Sequence, residues 1–257
     1  MPAGDVALIS FIAPTGSSLP DLMTHNNFSV PDERVLKRKA ASFYNTQAKP
    51  VIGLVLAIPL LVLLSPVLAV IAIAIVLDSG FPIIYRGERG GLNGKPFKIL
   101  KFRTMVQNAE NIGGGTTALG DPRITRVGSL LRKTKMDEFP QLFNIIRGDM
   151  CFIGPRPELL QYTTKYEGLE TYILKVRPGI TDFSSLEYID LAEVVGGEDA
   201  DDVYEREVLQ RKNQLRIQYV TRMSPLTDLR LFSVTVVRAF QGVFSKLLPK
   251  GAEHGND

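Results

Sequence analysis

Residues Val51 to Leu77 run for 27 positions without a charged side chain, and no other stretch of the sequence limits the fold so tightly. About 20 helical residues cross the hydrocarbon core of a bilayer, so this block is long enough to enter a membrane. Its flanks argue against a simple crossing. Arg34, Lys37, Arg38, Lys39 and Lys49 precede it, and Arg86, Arg89, Lys95, Lys98, Lys101 and Arg103 follow it. Excess Lys and Arg mark the cytoplasmic side, and both ends carry that excess. Ser65-Pro66 lies near the midpoint. A proline there removes one helical hydrogen bond, and the serine hydroxyl can occupy the freed carbonyl. The expected form is a re-entrant helix–break–helix that dips into one leaflet and returns, with Ser65 and Pro66 at the break and a second bend at Pro59. A spanning helix and the core helix of a soluble protein are the alternatives, although core helices rarely stay uncharged for so long.

The remaining composition excludes several chemistries. The 257 residues suffice for one large domain or two small ones. One cysteine, Cys151, rules out a disulfide framework and a Cys-rich metal centre. The only histidines are His25 and His254, near the two ends, so a His-based triad or a His-ligated catalytic metal is not expected. Residues 1–30 lack the basic region and apolar length of a secretory signal. The net charge of +3 conceals uneven patches: residues 83–103 hold six Lys/Arg against one acid, and residues 187–207 hold nine acids against one base. The chain reads as cytosolic in its chemistry and membrane-bound by one segment.

Four regions follow from this patterning: a tail over residues 1–32, the re-entrant membrane hairpin over 33–80, a catalytic domain over 81–242 and a C-terminal tail over 243–257. Pro82–Arg86 and Phe97–Arg103 read as strands joined through Gly87, Gly90, Gly91, Asn93 and Gly94, a β-hairpin. A short helix is expected from Thr104 to about Asn111, then a mobile Gly113–Gly120 loop, whose glycines lack the Gly-Lys-Ser/Thr ending of a phosphate-binding loop. Helical spacing recurs over 123–132, 138–147, 158–168, 169–176 and 203–220. Pro225–Phe240 is amphipathic, with Leu226, Leu229, Phe232, Val236 and Phe240 on one face, suited equally to a bilayer surface or a core. The fold class expected is α+β, mainly helical with a small β-hairpin, a re-entrant membrane helix and amphipathic surface helices.

With His and Cys set aside, carboxylates and cations must carry any chemistry. Asp137 and Glu138 follow Arg132, Lys133 and Lys135 and precede the periodic run Phe139, Leu142, Phe143 and Ile146. Asp137 therefore falls where a helix should start, and Pro140 suits a first turn. The helix end and the three cations should both favour its ionised form. Asp137 is then either an ordinary cap or an ionised nucleophile beside a metal-binding Glu138, in a pocket that attracts phosphate. Arg156, held between Pro155 and Pro157, is either a turn residue or a phosphate clamp with little entropy to lose. Lys175 and Arg177 beside Pro178 fit a helix C-terminus on physical grounds.

Taken in order, these segments resemble the bacterial sugar transferase family, the monotopic phosphoglycosyl transferases. The resemblance spans roughly residues 37–240. It rests on Ser65-Pro66, on the run Phe97–Met105, on Asp121-Pro122-Arg123-Ile124-Thr125 and on the run Met136–Asn144. Gly148-Asp149-Met150, Gly154-Pro155-Arg156-Pro157 and Val176-Arg177-Pro178-Gly179-Ile180-Thr181 complete it. It implies an enzyme of the bacterial inner membrane, in the cytoplasmic leaflet, in the small single-hairpin form. Such an enzyme transfers a phospho-sugar from a UDP-sugar to polyprenyl (undecaprenyl) phosphate and releases UMP, initiating glycoconjugate assembly. It further implies that Asp137 attacks the donor's β-phosphate to give a covalent phospho-sugar enzyme, and that Asp137 and Glu138 hold Mg²⁺. Arg132, Arg156, Lys101, Arg103 and Arg177 are the expected holders of substrate phosphate. Membrane lipids and a second copy of the chain are expected partners, and nucleic acid is not.

One departure bears on the sugar. Many members follow Arg-Pro-Gly-Ile-Thr with Gly-Trp-Ala-Gln and later Gly-Arg, whereas this chain continues Asp182-Phe183-Ser184-Ser185-Leu186-Glu187-Tyr188 and has no tryptophan. An N-acetylated amino sugar is the expectation. Two rivals predict different behaviour. A membrane-anchored scaffold that recruits glycosyltransferases would tolerate Asp137→Asn, and direct attack by the lipid phosphate would never accumulate a protein-bound phospho-sugar.

Overall fold

A computed structural model describes residues 30–112, 116–118, 120–189, 191–196 and 200–247, without the side chains of 110, 111, 192, 193, 239, 240 and 242–247. The tail to residue 29, the Gly113–Gly115 triplet, the side chain of Phe240 and the chain beyond 247 lie outside the described residues. The described residues from Glu33 to Leu247 pack as one compact unit.

Helix α1, Glu33–Ala40, leads through a π-helical turn at Tyr44–Ala48 into α2, Lys49–Ser79. At 1.5 Å per residue, α2 is about 46 Å long. The sequence predicts a break at Ser65-Pro66, but one uninterrupted helix runs through both Pro59 and Pro66. The reason is local. Pro66 leaves the Val62 carbonyl without its amide donor, and the Ser65 hydroxyl donates to that oxygen at 2.8 Å.

The burial of α2 is one-sided. Ala57 joins Ile99, Leu142, Ile145 and Met150 in one core, while Ile71 and Ile75 join Phe102 and Leu131 in a second. Val51, Val55, Val62, Leu63, Val70, Ile73 and Leu77 are exposed. Both ends of α2 are tied to the body of the protein. At the first, buried Lys49 pairs with Asp228 at 3.4 Å and donates to the Tyr219 hydroxyl. At the other, the Arg103 guanidinium donates to the Ser79 and Gly80 carbonyls, each at 2.7 Å. A helix C-terminus has four carbonyls without helical partners, and an arginine there both bonds them and meets the negative end of the dipole.

Strands β1, Ile84–Gly90, and β2, Pro96–Phe102, form the antiparallel hairpin, with Ile84 opposite Phe102 and Gly90 opposite Pro96. Gly87 and Gly90 belong to β1 and not to the turn, which starts at Gly91 and has Asn93 and Gly94 at positive φ. The helix expected after Thr104 shrinks to α3, Ala109–Ile112. Backbone pairing prevents anything longer: the Thr104 carbonyl accepts from the Thr125 amide at 3.0 Å, and the Val106 amide donates to Arg123 at 2.8 Å.

Helix α4, Arg126–Thr134, opens on Thr125, whose hydroxyl accepts from the Gly128 amide. A 3₁₀ turn, Met136–Glu138, separates it from α5, Gln141–Arg147, which ends on Gly148 at φ 81°. Strands β3, Cys151–Ile153, and β4, Gly179–Thr181, pair in parallel, Cys151 with Gly179 and Ile153 with Thr181. Between them the two helices expected over 158–176 are α6, Leu160–Thr163, and a 3₁₀ stretch, Gly168–Lys175.

The C-terminal part is α7, Phe183–Glu187, α8, Leu191–Val195, and α9, Ala200–Val203, then α10, Leu209–Arg222, reached through a π-helical turn at Tyr204–Val208. Helix α11, Pro225–Leu247, closes the described chain. Its face Leu226, Leu229, Phe232 and Val236 is exposed, while Asp228 and Leu231 point inward. The apolar spacing of α11 therefore marks an outer surface and not a core.

Candidate active site

Asp137 and Glu138 sit in the 3₁₀ turn that joins α4 to α5. Lys135 adopts φ 58° just before it, a left-handed turn that reverses the chain out of α4 and swings the next residues inward. The first helical residue of α5 is Gln141, so Asp137 is not its cap, and the capping alternative falls away.

The two carboxylates have opposite environments. Glu138 Oε1 accepts from Lys101 Nζ at 2.9 Å, and Arg156 reaches both its oxygens, with Nη1 to Oε2 at 3.1 Å and Nη2 to Oε1. Burial pushes the Glu138 carboxyl up, but Arg156 and then Lys101 outweigh it and hold the group well below the usual carboxylate range. Asp137 is 7% exposed and has neither a hydrogen bond nor an ion pair among the described residues. Burial pushes its carboxyl up, and Glu138 adds to the effect, while Lys101, Arg132 and Lys135 offset it only in part. This reverses the sequence expectation: desolvation outweighs the cations, and Asp137 holds its charge at a cost.

Both carboxylates line a cavity of about 1370 Å³ that also admits Arg132, Lys133, Lys135, Lys101 and Arg156. Cations outnumber carboxylates along this wall, which suits a polyanion. Arg132 is positioned by Thr104, whose hydroxyl accepts from Nε at 2.8 Å. This contact needs α4 to approach β2 closely, and Gly128 allows it: a Cβ there would lie 2.0 Å from the Thr104 carbonyl oxygen.

Arg156 is set by its backbone as well as its side chain. Its amide donates to Asp182 Oδ2 at 3.1 Å, and Nη1 donates to the Ile180 carbonyl at 2.6 Å. Asp182 is fully buried, and its other oxygen accepts from the Ser184 hydroxyl and from the Ser185 amide and hydroxyl, capping α7. Sequence reasoning gave Asp182 no role, although an Asp followed by two serines is a helix-start signal. Ser184, Ser185, Leu186 and Tyr188 line the cavity, so the 182–188 segment contributes directly to the site.

A second buried network flanks the cavity. Glu158 takes Arg216 at 2.8 Å and the Tyr204 hydroxyl, and Lys212 donates to Tyr204 at 3.0 Å. Burial pushes Glu158 up, but Arg216 and Lys212 bring it down to about 2. Lys212 is lowered to about 8, chiefly by burial.

Not every expected phosphate ligand gathers here. Arg132, Arg156 and Lys101 do. Arg103 reaches the cavity wall, but its Nη2 holds the end of α2. Arg177 is outside the cavity, donating to the Gly148 carbonyl at 2.9 Å. Both arginines satisfy backbone carbonyls at helix ends in this structure.

The bacterial sugar transferase family matches residues 44–242. The chain is 34% identical over 234 residues to the UDP-glucose:undecaprenyl-phosphate glucose-1-phosphate transferase of Escherichia coli K12, covering 86% of this chain and 48% of that protein. It is 46% identical over 116 residues to the putative undecaprenyl-phosphate N-acetylgalactosaminyl 1-phosphate transferase of Bacillus subtilis 168, covering 45% of this chain and 61% of the relative. It is 40% identical over 157 residues to the UDP-N-acetylgalactosamine-undecaprenyl-phosphate N-acetylgalactosaminephosphotransferase of Aeromonas hydrophila, covering 59% of this chain and 34% of the relative. The chain thus spans about half the length of the E. coli relative.

Proposed function

The chain belongs to the bacterial sugar transferase family, and we propose that it transfers a sugar 1-phosphate from a UDP-sugar to undecaprenyl phosphate, releasing UMP, in two displacements through Asp137. The observation that carries this reading is the contrast within the pair: Glu138 is fully engaged by Lys101 and Arg156, while Asp137 faces the same cation-lined cavity with its carboxylate uncommitted. A carboxylate that is desolvated and without hydrogen bonds is a better nucleophile than one already bonded.

In the first displacement an Asp137 oxygen forms a bond to the β-phosphorus, and the bond from that phosphorus to the bridging oxygen breaks, leaving UMP. In the second, the terminal phosphate oxygen of the lipid bonds to the same phosphorus and Asp137 departs. Arg132, oriented by Thr104, lies beside Asp137 to bind the charged oxygens in both steps. Glu138 holds Lys101 and Arg156 in place for the same purpose.

Mg²⁺ binds through one or two carboxylates together with substrate phosphates and waters, and Asp137 fits that pattern. Glu138 fits only when Lys101 or Arg156 gives up one of its oxygens. When bound, the ion screens the diphosphate charge against the carboxylate.

The sugar of this reading is an N-acetylated amino sugar, as in the two N-acetylgalactosamine relatives, which are 46% and 40% identical over 116 and 157 residues. The setting is the cytoplasmic leaflet of the bacterial inner membrane. The exposed apolar face of α2 supports this, with both helix ends held on the polar body, so that the helix enters the bilayer from one side.

The test is to incubate the protein in nanodiscs with a panel of UDP-sugars and Mg²⁺, without lipid acceptor, and weigh the intact chain. A mass gain of one phospho-sugar, lost in Asp137→Asn, is expected and identifies the sugar. UMP release only on adding undecaprenyl phosphate, with no adduct for any sugar, would favour direct transfer instead.

A further inference from the structure

Beyond its cations the cavity has a wall of different chemistry. It extends between α2 and α11, lined by Leu60 and Leu64 from the first, Phe232 and Val236 from the second, and Phe152 and Ile180 from the paired strands beneath. The two helices share an anchor, the Lys49–Asp228 pair, both pack on β3, and both reach α4. Phe152, on β3, meets the Phe232 ring edge-on at 6.0 Å between centroids. Thr235 bonds Thr181 across 3.0 Å, which fixes α11 to β4 along the same side. The result is an apolar groove whose floor is continuous with the Glu138–Arg156 end of the site.

The groove adjoins the surface that faces lipid. On α2, Leu56, Leu60, Leu64 and Val67 recur at helical spacing, and Leu56 and Val67 are 50% and 40% exposed. On α11, Leu229 and Phe232 are 62% and 40% exposed. An apolar channel that is open to water along one edge and leads to a cluster of cations suits one kind of ligand, a single long hydrocarbon chain ending in a phosphate. The head would reach Arg132 and Arg156 while the chain stays in the groove. A two-tailed phospholipid fits less well, because its phosphate is an internal diester and cannot reach the cations as a chain end.

We propose that this groove holds the isoprenoid units nearest the phosphate of the lipid acceptor. The inference rests on the transferase reading and adds a lipid-tail site to it. The groove sets the direction from which the acceptor phosphate approaches Asp137.

The experiment uses the full chain in nanodiscs and a polyprenyl phosphate carrying a photoreactive diazirine in one of its first isoprene units, with labelled peptides mapped by mass spectrometry. Label is expected on the segments around Leu60–Leu64 and Phe232–Val236. It should be competed by undecaprenyl phosphate and not by phosphatidylglycerol, and reduced at least about tenfold by Phe232→Ser, the loss expected for one large apolar contact. Phe232 is exposed, so this variant should fold, which its melting curve checks. Label that both lipids compete equally, or that falls only on the outward residues of α2, would mean ordinary bilayer contact and overturn the proposal. UMP release from UDP-sugars by the same preparation reads the transferase proposal separately. Competed groove labelling without UMP release would overturn that activity and uphold the lipid-tail site.

Discussion

Arg156 grips Glu138 with two prongs, Nη1 on Oε2 and Nη2 on Oε1, while Lys101 shares Oε1. The acid that stands next to Asp137, the proposed nucleophile, is therefore an organiser of cations. Its substitution has a distinctive signature. Glu138→Gln removes the charge that locates Lys101 and Arg156 but leaves both to meet substrate phosphate. We expect kcat to fall by about 10²–10³-fold, the size of losing a positioned electrostatic contact. The KM for UDP-sugar should not rise. Steady-state kinetics decide it, and a raised KM with kcat intact would assign Glu138 to binding alone.

Asp137 gives the pH dependence. Glu138 lies well below the usual carboxylate range and stays ionised across the working range, so the acid limb of kcat/KM belongs to Asp137. The proposed attack needs the ionised form. Because burial raises this group, activity should fall with decreasing pH at a higher pH than an ordinary aspartate would give.

The same shift has a stability consequence. Between the ordinary and the raised value the folded protein binds the extra proton, so ionising Asp137 costs stability as pH rises through that window. Asp137→Asn removes this cost. At pH 7 in EDTA the inactive variant should melt higher than the native chain, by about 2–4 °C for each kcal/mol recovered. A lower melting temperature would mean that the charge is compensated in the fold.

Gly128 makes a structural prediction that reads out in activity. A Cβ there would lie 2.0 Å from the Thr104 carbonyl oxygen, and backbone cannot rotate away as a side chain can. Gly128→Ala should cost about 1–3 kcal/mol by overpacking. It should also displace Thr104 from Arg132, lowering adduct formation. Thr104→Val separates the two effects: it should lower adduct formation with little change in melting temperature.

The hairpin and the long apolar helix were legible because each is decided locally, the first by glycines and alternation, the second by 27 uncharged residues. The pairing of β3 with β4 was not, since three-residue strands carry no period and their partners lie 28 positions apart, Cys151 to Gly179. The site divides in the same way. Asp137 and Glu138 could be picked out as a carboxylate pair among cations. That Glu138 is committed while Asp137 is not depends on Lys101, Arg156 and Asp182, which come from three separate segments. The helix-end contacts of Arg103 and Arg177 were hidden for a related reason: an arginine that caps a helix and one that binds phosphate look alike in sequence.

Glu158 is the remaining case, and its network tests how far the cavity wall depends on buried charge. Arg216 is 0% exposed and Lys212 6%, and both rely on this one carboxylate, with the Tyr204 hydroxyl completing the cluster. Glu158→Gln removes the one carboxylate that pairs directly with both cations. Breaking a buried pair in this way costs about 3–5 kcal/mol, which for a chain of this size lowers the melting temperature by about 10 °C. Acid should act in the same direction on the native chain. Glu158 is held at about 2 against an ordinary 4.5, so its contribution is complete above pH 4.5 and is lost as pH falls towards 2. Lys212, held at about 8 against 10.5, prefers the neutral form when folded, so stability should rise as pH goes from 8 to 10.5. The measurement is a melting series from pH 3 to 10.5 on the native chain and on Glu158→Gln. The variant should lose the acid-side dependence that belongs to Glu158, and an unchanged acid limb would place the titrating group elsewhere.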